Sequence, residues 1–80
     1  MTKEELSKLI IASDITRCIE NNERWLSEIK DGAKIEVVYE YRGIHIPVRI
    51  GKEMLEHIKE EVVMHLEARV NELQKQFDEL

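Results

Sequence analysis

On either side of Arg42-Gly43 the segment KIEVVYEYRGIHIPVRI, Lys34 to Ile50, alternates apolar and polar residues. That period of two is the signature of strands, and the Arg-Gly dipeptide supplies a tight turn, so the segment predicts a β-hairpin. A two-residue loop at Arg42-Gly43 fixes the register. Tyr41 then faces Ile44, Tyr39 faces Ile46, Val37 faces Val48 and Ile35 faces Ile50 on one side of the pleat. On the other side Glu40 faces His45 and Glu36 faces Arg49, so opposite charges meet. A slip of one residue would turn the whole apolar set to water. Pro47 falls at a non-hydrogen-bonded position, where its missing N–H removes no ladder bond and discourages a further strand beside it.

The pattern changes to steps of three and four on both flanks. A first helix is predicted from Thr2 to about Lys30, opened by the capping-box pair Thr2 and Glu5 and stopped by Asp31-Gly32. Its apolar stripe runs through Leu6, Leu9, Ile10, Ile11, Ile15, Cys18, Trp25 and Ile29, with Asn22 inside it and Ile19 and Leu26 widening it. Ser13-Asp14 is a point where a new helix can begin. A second helix is predicted to start after Gly51 and run to Leu80, with Met54, Leu55, Ile58 and Val62 first and the coiled-coil-like seam Leu66, Val70, Leu73, Phe77 and Leu80 after them. The expected fold is α+β in the order helix, two-stranded antiparallel hairpin, long C-terminal helix, as one domain over residues 1–80.

Helix length then raises a question of coverage. The second helix is about 43 Å long, whereas a seven-residue strand spans about 23 Å, so the hairpin is too short to cover it. Two helices paired antiparallel leave each seam open on one side. Self-association closes such seams and enlarges the core of a chain of 80 residues. A homo-oligomer is therefore expected, with Tyr39, Tyr41, Leu66, Val70, Leu73, Phe77 and Leu80 at its interface.

Cys18 is the sole cysteine, which rules out an internal disulfide framework. The lone thiol, no membrane-spanning apolar run and no signal-peptide pattern at Met1-Thr2-Lys3 point to a reducing, cytoplasmic setting. Net charge is −5. Residues 1–31 and 53–80 are acidic in balance, whereas Arg42, Arg49 and Lys52 face no acid between Tyr41 and Lys52. Two acidic helices around a small basic hairpin argue against duplex nucleic acid, which demands an extensive basic surface.

Candidate chemistry is sparse. Arg42, His45, Arg49 and Lys52 form the candidate ligand-binding set, for a small anion held by guanidinium forks and by the helix start at Gly51-Lys52. The competing reading pairs Arg49 with Glu36 and leaves Arg42 and Lys52 solvated. His57, Glu61 and His65 recur every four residues, but the two histidines stand about 12 Å apart along the axis, too far for one ion on a straight helix. No metal or cofactor is expected. Cys18 reads as a buried, inert thiol, and Asn22 either fixes register in an apolar seam or lies at its rim. Trp25, Tyr39 and Tyr41 suit packing better than base stacking. No constellation of catalytic groups is present, so no enzyme activity is expected.

The order helix, hairpin with an Arg-Gly turn, and long helix ending LEARVNELQKQFDEL resembles small accessory proteins encoded by bacteriophages and prophages. That resemblance implies opposition to host defence, either by sequestering a signalling nucleotide in an oligomeric pocket or by obstructing a host protein. It transfers no functional residues. The sequence therefore leads to a non-enzymatic homo-oligomeric binding protein for a small anionic nucleotide, with Arg42, His45, Arg49 and Lys52 on the phosphates. The alternatives are an acidic interaction module that inhibits a host protein and a structural assembly protein.

Overall fold

A computed structural model describes residues 2–80 and has the order α1 (Lys3–Lys30), β1 (Val37–Tyr41), β2 (Ile44–Val48) and α2 (Lys52–Asp78). The Thr2 hydroxyl caps α1 by accepting the Glu5 N–H at 3.1 Å. The helix runs unbroken through Ser13 and Asp14. Its end is a Schellman motif: Gly32, at φ 101°, donates to the Ile29 carbonyl, and Ala33 donates to Glu28. A positive φ at that position is what makes glycine the stop.

The hairpin has the expected register, with Tyr41 opposite Ile44, Glu40 opposite His45, Tyr39 opposite Ile46, Val38 opposite Pro47 and Val37 opposite Val48. Arg42 and Gly43 both take positive φ, 52° and 77°, as a type I′ turn requires. The two outermost expected pairs lie outside the ladder, because the strands begin at Val37 and end at Val48. Glu36 does not meet Arg49 in a strand pair; its carboxylate lies 3.5 Å from the Lys34 ammonium.

The helices pack antiparallel through Ala12, Ile15, Ile19, Asn22, Leu26 and Ile29 of α1, a sustained alternation of three and four. Leu26, Ile29 and Leu66 form the centre, with Ile35, Val62, Val63 and Val70 packed on them. This corrects the stripe. Cys18 and Trp25 are exposed, and Ile19 and Leu26, expected at its margin, lie in the seam. Leu6, Ile10 and Ile11 bias the phase of the periodicity, yet they are exposed and take no part in the buried seam.

Pairing is staggered. Lys30, in the last turn of α1, makes an ion pair at 3.3 Å with Glu67, fifteen residues beyond the start of α2. α1 alone is about 42 Å long, so in a molecule 54 Å long only about 12 Å of α2 runs past its end, and Val62 and Val63 still pack on Leu26 and Ile29. At the other end Glu5, Lys8, Leu9 and Ala12 line a groove with Phe77 and Leu80, so the first turns of α1 lie beside the end of α2. No Cα of either strand comes within 8 Å of a helix Cα, so the hairpin stands as an arm rather than a cover.

The result is an extended molecule of 54 × 31 × 16 Å with a radius of gyration of 17.2 Å, against about 12 Å for a compact chain of this length. It exposes 6840 Å², where a compact 9.5 kDa monomer exposes about 5,000 Å². Among the described residues no side chain is fully buried, and no helix is long and apolar enough to cross a membrane.

Candidate interaction surface

The pleat that the sequence assigns to Tyr41, Ile44, Tyr39, Ile46, Val37 and Val48 forms as an apolar face, on which Val37 and Ile46 are half-buried and the tip is open. Tyr39 is 52% exposed, Tyr41 58% and Ile44 63%. At the tip the Arg42 guanidinium lies 5.2 Å from the centroid of the Tyr41 ring, within range of a cation–π contact. Tyrosines beside an arginine are the composition enriched at the centres of protein interfaces.

The four basic candidates do not form one cluster. Arg42 is at the tip, and His45 follows on the polar side of β2, opposite Glu40. Arg49 lies beyond the strand end and Lys52 opens α2. Arg49 lies seven positions after Arg42 along the strand, a span of about 20 Å, which exceeds the reach of one compact anion. Arg49 instead lines an open groove of about 650 Å³ at the hairpin base, with Lys34, Glu36, Gly51 and Leu55 among its walls. Lys34 is the basic residue that sequence reasoning missed. The hairpin register that sets Glu36 against Arg49 is the signal that links Lys34 to Arg49, since it brings the two together at the hairpin base.

The expected interface set divides likewise. Leu66 and Leu73, 8% and 3% exposed, are buried against α1 inside the chain and are not offered to a second copy. Val70 packs on the same core. Phe77 and Leu80, 40% and 44% exposed, stay open beside Leu9. One α2 seam residue after another is occupied by α1 until the helix pair frays at its end.

Asn22 lies in the seam at 8% exposure, not at a rim. Its Nδ2 donates to the Cys18 carbonyl at 2.7 Å, so the buried amide finds its partner within its own helix. Cys18 itself is exposed, contrary to the expected buried thiol, because the seam runs along Ile15, Ile19 and Asn22 instead. His57, Glu61 and His65 are exposed on α2, and among the described residues no three metal-ligating side chains gather to hold an ion.

Comparison with family models, curated proteins and solved structures finds no match for the chain.

Proposed function

We propose that the chain is a non-enzymatic, self-associating binding protein that recognises another protein through its hairpin arm. The observation that carries this reading is the outward apolar face of Tyr39, Tyr41 and Ile44, held clear of both helices and bordered by Arg42. Rigid aromatics lose little side-chain entropy on contact and bury large areas, so a short arm of this kind suffices as an anchor. The basic balance of residues 32–52 favours a partner surface with an apolar centre and acidic surroundings. Obstruction of a host protein is the role that the resemblance to phage accessory proteins implies for such an arm. The test is affinity capture with wild type beside a Tyr39→Ser/Tyr41→Ser variant of equal helix content and equal oligomeric state. A protein retained only by the wild type supports the reading; identical retention overturns it.

Capture of a small anion is the second reading, and the groove at the hairpin base favours it. Arg49 and Lys34 line that groove together with Gly51 at the start of α2. Native mass spectrometry at low salt with a panel of signalling nucleotides decides it. An added nucleotide mass that Arg49→Glu removes supports capture, and an unmodified mass across the panel overturns it.

A further inference from the structure

We propose that β1 pairs along its outer edge with β1 of a second copy, so that two hairpins join into one four-stranded antiparallel sheet. This deepens the self-association reading above and rests on it. With a two-residue loop at Arg42-Gly43, the hydrogen-bonded pairs of the hairpin are Tyr41–Ile44, Tyr39–Ile46 and Val37–Val48. The residues between them therefore turn their backbone groups away from the ladder, Val38 and Glu40 on β1 and Pro47 and His45 on β2. The two outer edges differ. On β2 the ring of Pro47 stands where an outward N–H would be, so that edge resists a further strand. On β1 Val38 and Glu40 keep both N–H and C=O, and among the described residues no hydrogen bond reaches them. No helix Cα comes within 8 Å of a β1 Cα, so no helix covers that edge. A two-stranded hairpin standing clear of other elements is marginal in water, and added strands are what stabilise it.

Overlap and charge select the register. Only the antiparallel pairing centred on Tyr39 overlaps the whole of both strands, setting Val37 against Tyr41 and Val38 against Glu40. It makes Val38 and Glu40 the residues that exchange backbone bonds, as their outward groups require. Just beyond the strand ends it brings Glu36 level with the partner's Arg42. Those opposite charges are exposed, so they orient the approach more than they strengthen it. The neighbouring hydrogen-bonding registers lose overlap and set like charges together. One places Glu40 against the partner's Glu36, and the other places Glu40 against the partner's Glu40. The two-fold axis runs perpendicular to the sheet, so the Tyr39, Tyr41 and Ile44 faces of both copies lie on one side as a single apolar surface. The contact is isologous, and Pro47 ends the sheet at both outer edges, so assembly stops at two copies.

Sedimentation and backbone amide exchange of the full chain over a dilution series test this. The wild type is expected to dimerise in the micromolar range. Its Val38 and Glu40 amides are expected to lose about tenfold or more of their protection as dilution dissociates the dimer. Charge at position 38 adds a sign. Val38→Lys sets an ammonium opposite the partner's Glu40 at two equivalent places, whereas Val38→Glu sets a carboxylate there. Val38→Lys is expected to dimerise about tenfold or more tightly than Val38→Glu, with equal helix content by circular dichroism. A monomeric wild type overturns both this dimer and the self-association reading. A wild-type dimer whose Val38 and Glu40 amides exchange as fast as in the dissociated chain overturns the edge pairing alone, and that measurement needs no variant. So does an open series of larger species. Equal affinities for the two variants, or tighter binding by Val38→Glu, overturn this register.

Discussion

The Lys30 ammonium and the Glu67 carboxylate, 3.3 Å apart, join the last turn of α1 to the middle of α2 rather than to its start. The helices are offset by about 12 Å, which takes the molecule from the length of α1 to 54 Å. The ion pair marks the stagger without enforcing it. Both side chains are at least half exposed, so water and salt screen their attraction. Glu67→Gln is expected to cost less than about 1 kcal/mol and to move the thermal midpoint by only a few degrees. A loss comparable to that of a core truncation would show that the pair sets the register.

The register is held instead by apolar residues such as Leu73, the least exposed residue of the seam at 3%. Leu73→Ala shortens the side chain at the α1–α2 contact and leaves a space that two helices can only partly close. The expected cost is about 2–4 kcal/mol. For a core of this size that is a large share of the total stability, so urea unfolding should show a collapsed midpoint or no folded baseline. Leu6→Ala, at a half-exposed position near the start of α1, is the control expected to leave the midpoint of isolated monomer unchanged.

Asn22 gives the opposite sign. Its amide is satisfied by the Cys18 carbonyl, one turn back on its own helix, so nothing on α2 is left unpaired when it is removed. Asn22→Leu adds apolar contact to a position only 8% exposed. A gain of about 1 kcal/mol is expected by chemical denaturation, with the oligomeric state unchanged. A changed oligomeric state would mean that the asparagine selects it, as a polar residue in a coiled-coil seam can.

The hairpin is legible in the sequence because a period of two and a two-residue turn admit one register, and Tyr39 opposite Ile46 follows from counting. Helix limits are legible from Thr2 and Gly32 for similar local reasons. The phase of α1 is not. Leu6, Ile10 and Ile11 weigh as much in a periodicity as Ile15 or Ile29, yet they are exposed, Leu6 near the start of α1 and Ile10 and Ile11 between the groove-lining Leu9 and Ala12. One chain's pattern cannot separate an apolar residue that meets its own partner helix from one that does not. For the same reason the pattern puts Cys18 and Trp25 in the seam and offers Leu66 and Leu73 to a subunit contact. The basic set fails for a different reason: it follows the acid-free run from Tyr41 to Lys52, whereas the register that sets Glu36 against Arg49 also brings Lys34 beside it.

Exposure of Cys18 has a direct chemical readout. A thiol on the outer side of α1 reacts without unfolding, so a maleimide is expected to label the native protein quantitatively and nearly as fast as the denatured one. Protection by tenfold or more in the native state would place Cys18 under a subunit contact and would move the interface onto that flank of α1.

Hairpin and helix pair should also separate in stability. No strand Cα comes within 8 Å of a helix Cα, so opening the ladder exposes none of the Leu26–Ile29–Leu66 core. Amides of Val37–Tyr41 and Ile44–Val48 are therefore expected to exchange before those of the helical seam, as a sub-global opening. The turn offers a way to shift that equilibrium alone. Arg42 holds φ 52°, a left-handed conformation that costs an ordinary residue about 1 kcal/mol and that asparagine tolerates. Asn-Gly is the favoured pair for a type I′ turn. Arg42→Asn gives up the contact with the Tyr41 ring, an exposed cation–π pair of about 0.5–1 kcal/mol, and relieves the backbone by a similar amount or more. The balance is expected to leave hairpin protection equal or up to about threefold higher, with seam amides unmoved. Arg42→Val, which keeps neither the ring contact nor a tolerated φ, should lower hairpin protection more than tenfold. If the two substitutions act alike, or if either shifts the seam amides in step with the hairpin, the arm is not an independent unit of the fold.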